Sequence, residues 1–270
     1  MMSTPHCGNW MRRCFQVAAL AGVCLGSFPS SAGSSLEEVL ARASLRVSGL
    51  VEQFSDVKCT EQVRQQKLAE NGKVERDAQS TYDYLVILTN AGGELSLNES
   101  RLPLHEAKAD KKNTSLLITN GFATLFLIFH PYYAGSFQFT AGELEVTGGH
   151  KIDKISFQYV RGRRSPAVLA LRGREYPLPL SGTAWIDPET GAIARIDADI
   201  GNRMEDVGLK TMYSAVNYAP VVFRGVKETY WFPADAQVEV ETERQHWRNT
   251  HVFTDYRRFS VSTEEQVVNQ

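Results

Sequence analysis

Asn71-Gly72 constrains this chain more than any other pair of residues. Asn-Gly between alternating apolar residues is the strongest short-range hairpin signal, because both residues reach positive φ at little cost. Taken as a two-residue turn, it pairs Glu70 with Lys73. Counting outward sets Val57 opposite Val86, Cys59 opposite Tyr84, Glu61 opposite Tyr82 and Val63 opposite Ser80. Apolar side chains then gather on one face, with Thr60, Arg64, Gln79 and Asp83 on the other. Turn chemistry and the period-2 pattern therefore agree. In this register Cys59 packs beside Tyr84, as a small core residue rather than a nucleophile.

Further strands are expected over Glu94–Leu102, Ser136–Thr147, Lys151–Val160, Thr183–Asp187, Ala192–Ile200, Leu209–Val222, Val226–Phe232, Ala236–Glu243 and Trp247–Val261. Their connectors are turn-rich, Asp187-Pro188-Glu189-Thr190-Gly191 among them. Nothing reads as a βαβ unit, so the sheet should be antiparallel.

Two segments break the strand pattern. Ser35 and Glu38 form a capping box that opens a helix. Leu36, Val39, Leu40, Ala43, Val47, Leu50, Val51 and Phe54 share one face of it, with Glu37, Arg42, Arg46 and Glu52 opposite. The second segment, Phe122 to His130, is apolar almost all round and is stopped by Pro131. Such a helix must be buried on every side, and here it would plug the curved sheet; a strand is the alternative. The expected fold class is α+β: a large curved antiparallel sheet, a half or near-closed barrel, with an N-terminal helix and an inner apolar helix.

Residues 1–32 read as a signal peptide. Arg12 and Arg13 precede an apolar run from Cys14 to Phe28, and Pro29-Ser30-Ser31-Ala32 supplies small residues before a cut after Ala32. The run is short of the roughly 20 apolar residues that span a bilayer. Arg12-Arg13-Cys14-Phe15 matches only the core of a twin-arginine signal. Val23 before Cys24 speaks against a lipid anchor there. Removing 32 of the 270 residues leaves 238, expected to form one domain over 33–270, and moves the formal charge from −2 to −4. Only Cys59 of the four cysteines remains, so no internal disulfide can form and the core alone holds the domain. A balanced charge gives no basis for sequence-independent nucleic-acid binding. The expected location is outside the cytoplasm, the periplasm where an outer membrane exists, with no membrane span after cleavage.

Gly182-Thr-Ala-Trp-Ile-Asp-Pro-Glu-Thr-Gly-Ala-Ile-Ala-Arg195, Tyr230-Trp-Phe-Pro233 and the terminal Asp255-Tyr-Arg-Arg-Phe-Ser260 complete the pattern. Together with the export segment, the amphipathic helix, the curved sheet and the inner apolar helix, they resemble the bacterial lipoprotein-localisation fold. That group includes the outer-membrane lipoprotein carrier and exported sigma-factor regulators of the RseB type. The resemblance implies a half-barrel whose apolar concave face receives acyl chains or a hydrophobic protein segment. Its motifs are structural, and no family binding residue transfers to a position of this chain.

Catalytic and metal signatures are missing from the sequence. The six histidines are scattered, with no His-Glu-x-x-His and no Cys/His cluster. His246 and His251 fall on opposite faces of one strand. Gly-x-Ser-x-Gly and both glycine-rich phosphate loops are absent. Asp187/Glu189 sit in a turn and Asp197/Asp199 on a polar strand face, where solvation accounts for both pairs. The chain is therefore expected to be a non-catalytic binder of a hydrophobic ligand, lipid or lipoprotein acyl chains, without cofactor or metal. Phe122, Phe126, Phe129, Trp185 and Trp231 are the candidate lining, within an aromatic set that includes Trp247 and that core packing alone could explain. Phe126→Asp is expected to weaken uptake while folding survives. The alternative is an envelope protein-interaction or regulatory module using a basic loop of Arg161, Arg163, Arg164, Arg172 and Arg174, which could dock an anionic lipid or protein partner or be a solvated rim.

Overall fold

The Ser35–Glu38 box forms as the sequence requires. Glu38 N–H donates to Ser35 Oγ (3.3 Å) and Ser35 N–H to Glu38 Oε2 (3.4 Å). It opens helix α1, Leu36–Phe54, whose Val39, Ala43, Val47, Leu50 and Val51 are buried. The protein is represented by a computed structural model that describes residues 34–54, 57–91, 94–104, 121–147, 150–171 and 174–258. Residues 1–32, read above as a signal peptide, lie outside them, as do Arg172 and residues 259–261 of the last expected strand.

The strands are β1 (Val57–Leu68), β2 (Val74–Ala91), β3 (Glu94–Pro103), β4 (Phe137–Thr147), β5 (His150–Tyr159), β6 (Val168–Leu171), β7 (Arg174–Pro177), β8 (Ser181–Ile186), β9 (Ile193–Asp199), β10 (Leu209–Val222), β11 (Thr229–Thr242) and β12 (His246–Arg258). Ten form one antiparallel sheet in the order β3-β2-β1-β12-β11-β10-β9-β8-β5-β4, and β6 and β7 form a separate hairpin. Among the described residues no ladder joins β3 to β4, so the sheet is open rather than a closed barrel. β1 pairs with β12, which sets the first and last strands side by side within the sheet.

The hairpin register is as counted from the sequence: Cys59 pairs with Tyr84, Glu61 with Tyr82 and Val63 with Ser80. The turn itself differs. Ala69 N–H donates to Lys73 O (2.8 Å), Gly72 N–H donates to Ala69 O (2.9 Å) and Gly72 alone has positive φ, 77°. A three-residue loop with a glycine bulge thus replaces the two-residue turn. The shift between Lys67 and Leu68 absorbs the extra residue and restores the expected pairing.

Three expectations need correction. Val226–Phe232 and Ala236–Glu243 are one strand, β11. Pro233 pairs with Tyr218 where the register shifts after Asn217, and a bulge tolerates a residue with no N–H to give. The arginine-rich stretch, expected as a docking loop or a solvated hairpin rim, contains the β6–β7 hairpin, which corrects the loop reading alone. The inner apolar segment is short: a 3-10 turn over Leu125–Phe129, then one helical turn, α2, Pro131–Ala134. Pro131 forces His130 to extended backbone (φ −69°, ψ 140°), which ends the first turn before an α-helix can grow. The segment is nevertheless interior, as its lack of a polar side demands, with Leu125 to Phe129 all at most 2% exposed.

One core gathers α1, the 122–133 segment and the inward residues of the sheet, including Tyr84, Ile196, Val216, Phe232 and Val238. Two side chains assigned by periodicity to the outer face of α1 in fact clamp it down. Arg42 Nη1 donates to Pro188 O (2.5 Å), and Arg46 Nη2 donates to Thr229 O (2.9 Å). The β8–β9 turn fits against the helix at Gly191. With φ 70°, that residue is so close that a Cβ would lie 2.5 Å from the Arg42 carbonyl carbon. Asp187 shapes the turn by accepting from Glu189 N–H (2.8 Å) and Thr190 N–H (2.9 Å).

Candidate functional site

Where α1 crosses the sheet it leaves a groove of about 300 Å³. Leu50, Phe126, Ile193 and Tyr218 supply its apolar interior, Tyr230 and Trp231 its wall, and Leu45, Arg46, Gly49, Glu52 and Glu228 its rim. Phe126 is 1% exposed and meets Tyr218 edge-on (6.0 Å, 74°); the Tyr218 hydroxyl accepts from Phe126 N–H (3.2 Å). The Phe126 N–H at the deep wall is thereby satisfied. The rim is different. Leu45 is 77% exposed, an unusual position for a leucine beside an apolar depression. Gly49, one turn along, leaves open space where a side chain would stand.

The structure brings together only part of the aromatic set proposed from sequence. Phe126 and Trp231 share the groove. Phe122 and Phe129 are buried in the core and do not line it; Phe129 packs on Phe139 at 5.3 Å. Trp185 lies on the face opposite the buried Ala184 and Ile186, covered by Arg195 (5.4 Å to the ring centroid) and Lys154 (5.9 Å). Trp247 is buried too, and its indole N–H donates to Gln245 Oε1 (3.1 Å). Among the arginines, Arg161, Arg163, Arg164 and Arg174 are exposed. Gly162 (φ 80°) turns the chain between the first two, Arg164 rests over the Tyr132 ring (4.5 Å), and Arg174 begins β7.

A buried ionic cluster escaped the sequence reading. Glu61 is fully buried on β1; its carboxylate receives Arg101 Nε (2.6 Å) and Nη2 (3.0 Å) from β3 and lies 2.8 Å from His251 Nδ1 on β12. Arg101 Nη1 also pairs with Glu99 Oε2 (3.0 Å), while Glu99 Oε1 accepts from Gly121 N–H (2.8 Å). Burial drives both carboxyls upward. At Glu61 the hydrogen bonds from His251 and Arg101 more than offset it, leaving the group below its ordinary value. At Glu99 burial prevails over Arg101 and Gly121, and the group stays above it. The guanidinium lies 5.0 Å from the centre of the Tyr84 ring. The cluster ties β1, β3 and β12 to the start of the buried segment. An alternating apolar pattern gives no sign of it beyond Glu61 on the apolar face of the hairpin.

Cys59 occupies the core as expected. Opposite it, Asp255 adopts φ 53° at a bulge of β12, next to Tyr256, which stacks on Phe232 (4.9 Å, 22°) and donates to Pro233 O (2.5 Å). Burial pushes the Cys59 thiol up to about 12. At mildly alkaline pH only about one thiol in ten thousand is then ionised. Iodoacetamide should leave the folded protein unlabelled and alkylate Cys59 fully in urea, read by intact mass. Rapid alkylation of the folded protein would show a reactive thiol.

No family model and no curated protein matches the chain. Solved structures with a similar course of chain are known. A DUF1329 family protein from Desulfovibrio piger is 10% identical with a TM-score of 0.47, over 83% of this chain and 93% of that one. An outer membrane lipoprotein-sorting protein domain from Vibrio parahaemolyticus is 10% identical with a TM-score of 0.35, over 83% of this chain and 95% of that one.

Proposed function

We propose that the protein is an exported, non-catalytic binder of a hydrophobic ligand, with acyl chains as the favoured class. The groove between α1 and the sheet carries this reading. Its volume reaches the lower end of the range for small-molecule sites, and it combines an apolar interior with a few polar groups at the rim. Burying apolar surface there supplies roughly 25 cal/mol per Å². Export rests on the basic, apolar and small-residue succession of residues 1–32. The sequence alone suggests displacement of the apolar plug from the concave face; the groove offers a site with the segment in place, because Phe126 already forms part of its wall.

Gly49→Trp tests the site. The new side chain fills the groove from its rim without entering the core, and losing a helix-interior glycine is mildly stabilising in itself. Protein purified without detergent should yield an amphiphile on organic extraction, identified by mass spectrometry, and should take up the neutral fluorophore phenylnaphthylamine. Gly49→Trp should lose both at an unchanged melting temperature. A wild-type protein that carries no amphiphile and takes up no fluorophore refutes the reading.

A further inference from the structure

Arg46 is the one cation in the lining of the groove, and among the described residues no carboxylate lies within 4 Å of it. Arg42, Arg64, Arg101, Arg195 and Arg248 each sit within 4 Å of a carboxylate. Arg46 does not. Among the described residues its partner is the Thr229 carbonyl, which occupies Nη2, and Asp187 acts on it only through a longer-range charge interaction. Arg46 is half-buried where α1 meets the start of β11; its stem is covered and its hydrogen bond to Thr229 lies at the surface, so its guanidinium can be reached from the rim. With Nη2 given to Thr229, its remaining donors form a fork suited to a carboxylate or phosphate. The two acids on the rim, Glu52 and Glu228, are exposed and screened by solvent.

From this geometry we infer that Arg46 is the head-group site of the groove, and that the ligand is a single acyl chain bearing an anionic head, carboxylate or phosphate. The inference rests on the groove reading above and narrows it. The chain runs over Leu50, Ile193, Tyr218 and Trp231, and the head stays at the rim, where Arg46 meets solvent. The small volume favours one chain over two.

Titration calorimetry with dodecanoate, dodecyl phosphate, dodecanol and dodecylamine, below their aggregation concentrations, separates the cases. The two anions should bind the wild-type protein about tenfold more tightly than the alcohol, the scale of one charge-assisted hydrogen-bonded contact. Comparing the two anions identifies the preferred head. Arg46→Gln should erase that preference, so that the two anions bind this variant no more tightly than dodecanol does, and Arg46→Lys should restore part of it. Equal affinity for anion and alcohol, preference for the amine, or a preference that survives Arg46→Gln overturns the head-group assignment and leaves the groove standing. Failure of all four amphiphiles to bind overturns the groove reading as well.

Discussion

Arg101→Met should destabilise the protein by about 3–5 kcal/mol at neutral pH, the usual cost of removing one partner from a buried ion pair. The loss is large because two carboxylates depend on this side chain. Glu61 accepts two of its N–H groups and Glu99 pairs with a third nitrogen, and both carboxylate side chains are without solvent exposure. Domain stabilities of about 5–15 kcal/mol make such a loss close to the whole margin. The pH dependence has a definite sign. In the wild-type protein the Glu61 carboxyl sits below its ordinary value, so its contribution is present above the ordinary carboxylate range and fades as pH falls below it. Glu99 sits above its ordinary value, so it costs stability as pH rises through the window between the two. Without Arg101 both carboxyls are driven upward by burial, and the deficit should shrink on mild acidification as they take up protons. Urea unfolding at neutral and mildly acidic pH measures this. An equal deficit at both pH values would show that lost packing, not unpaired charge, is the cause. Glu61→Gln keeps the shape and removes one charge, and should cost less than Arg101→Met.

Phe126→Ala should cost about 3–5 kcal/mol, the range for truncating a fully buried phenylalanine. At 1% exposure its ring touches Tyr218 and forms part of the groove wall, so the void left by truncation opens into the groove instead of being sealed. Lower stability and a deeper ligand site are therefore expected together. Thermal unfolding reads the first. The second appears as a shift in preference towards longer chains in an alkanoate series. Phe126→Leu, which keeps most of the volume, should recover most of the stability. A loss below about 1 kcal/mol would mean that the groove collapses onto the truncated side chain. Phe126→Asp, expected from sequence to weaken uptake while folding survives, instead buries an unpaired carboxylate at a residue 1% exposed and is expected to prevent folding.

Much of the architecture was legible because its causes are local. The capping box needs only Ser35 and Glu38 on one turn, and the β1–β2 register needs only a turn and alternation on either side of it. Even the wrong turn type left that register intact, because a bulge adjusts by one residue where the side-chain pattern demands it. Pro233 misled for the same local reason: a proline ends a strand unless a partner strand shifts register to receive it, and the shift at Tyr218 lies elsewhere in the chain.

The groove and the ionic cluster were not legible, because their members meet only through strand order. His251 reaches Glu61 across 190 residues, and Arg101 reaches it across 40. Trp185 and Trp231 look alike in sequence, yet one lies on the outer face under two cations and the other walls the groove. Arg46, placed by helical periodicity on the polar face of α1, is instead held against Thr229 by the way the helix crosses the sheet. Period, turn chemistry and caps act within a few residues, so the sequence by itself determined α1, most of the strands and the first hairpin's register. Which face meets which, where a charge is trapped and where a gap is left depend on contacts between distant strands. Those contacts exist only once β1 has paired with β12 and α1 has settled on the sheet, so the tertiary structure alone decided the site.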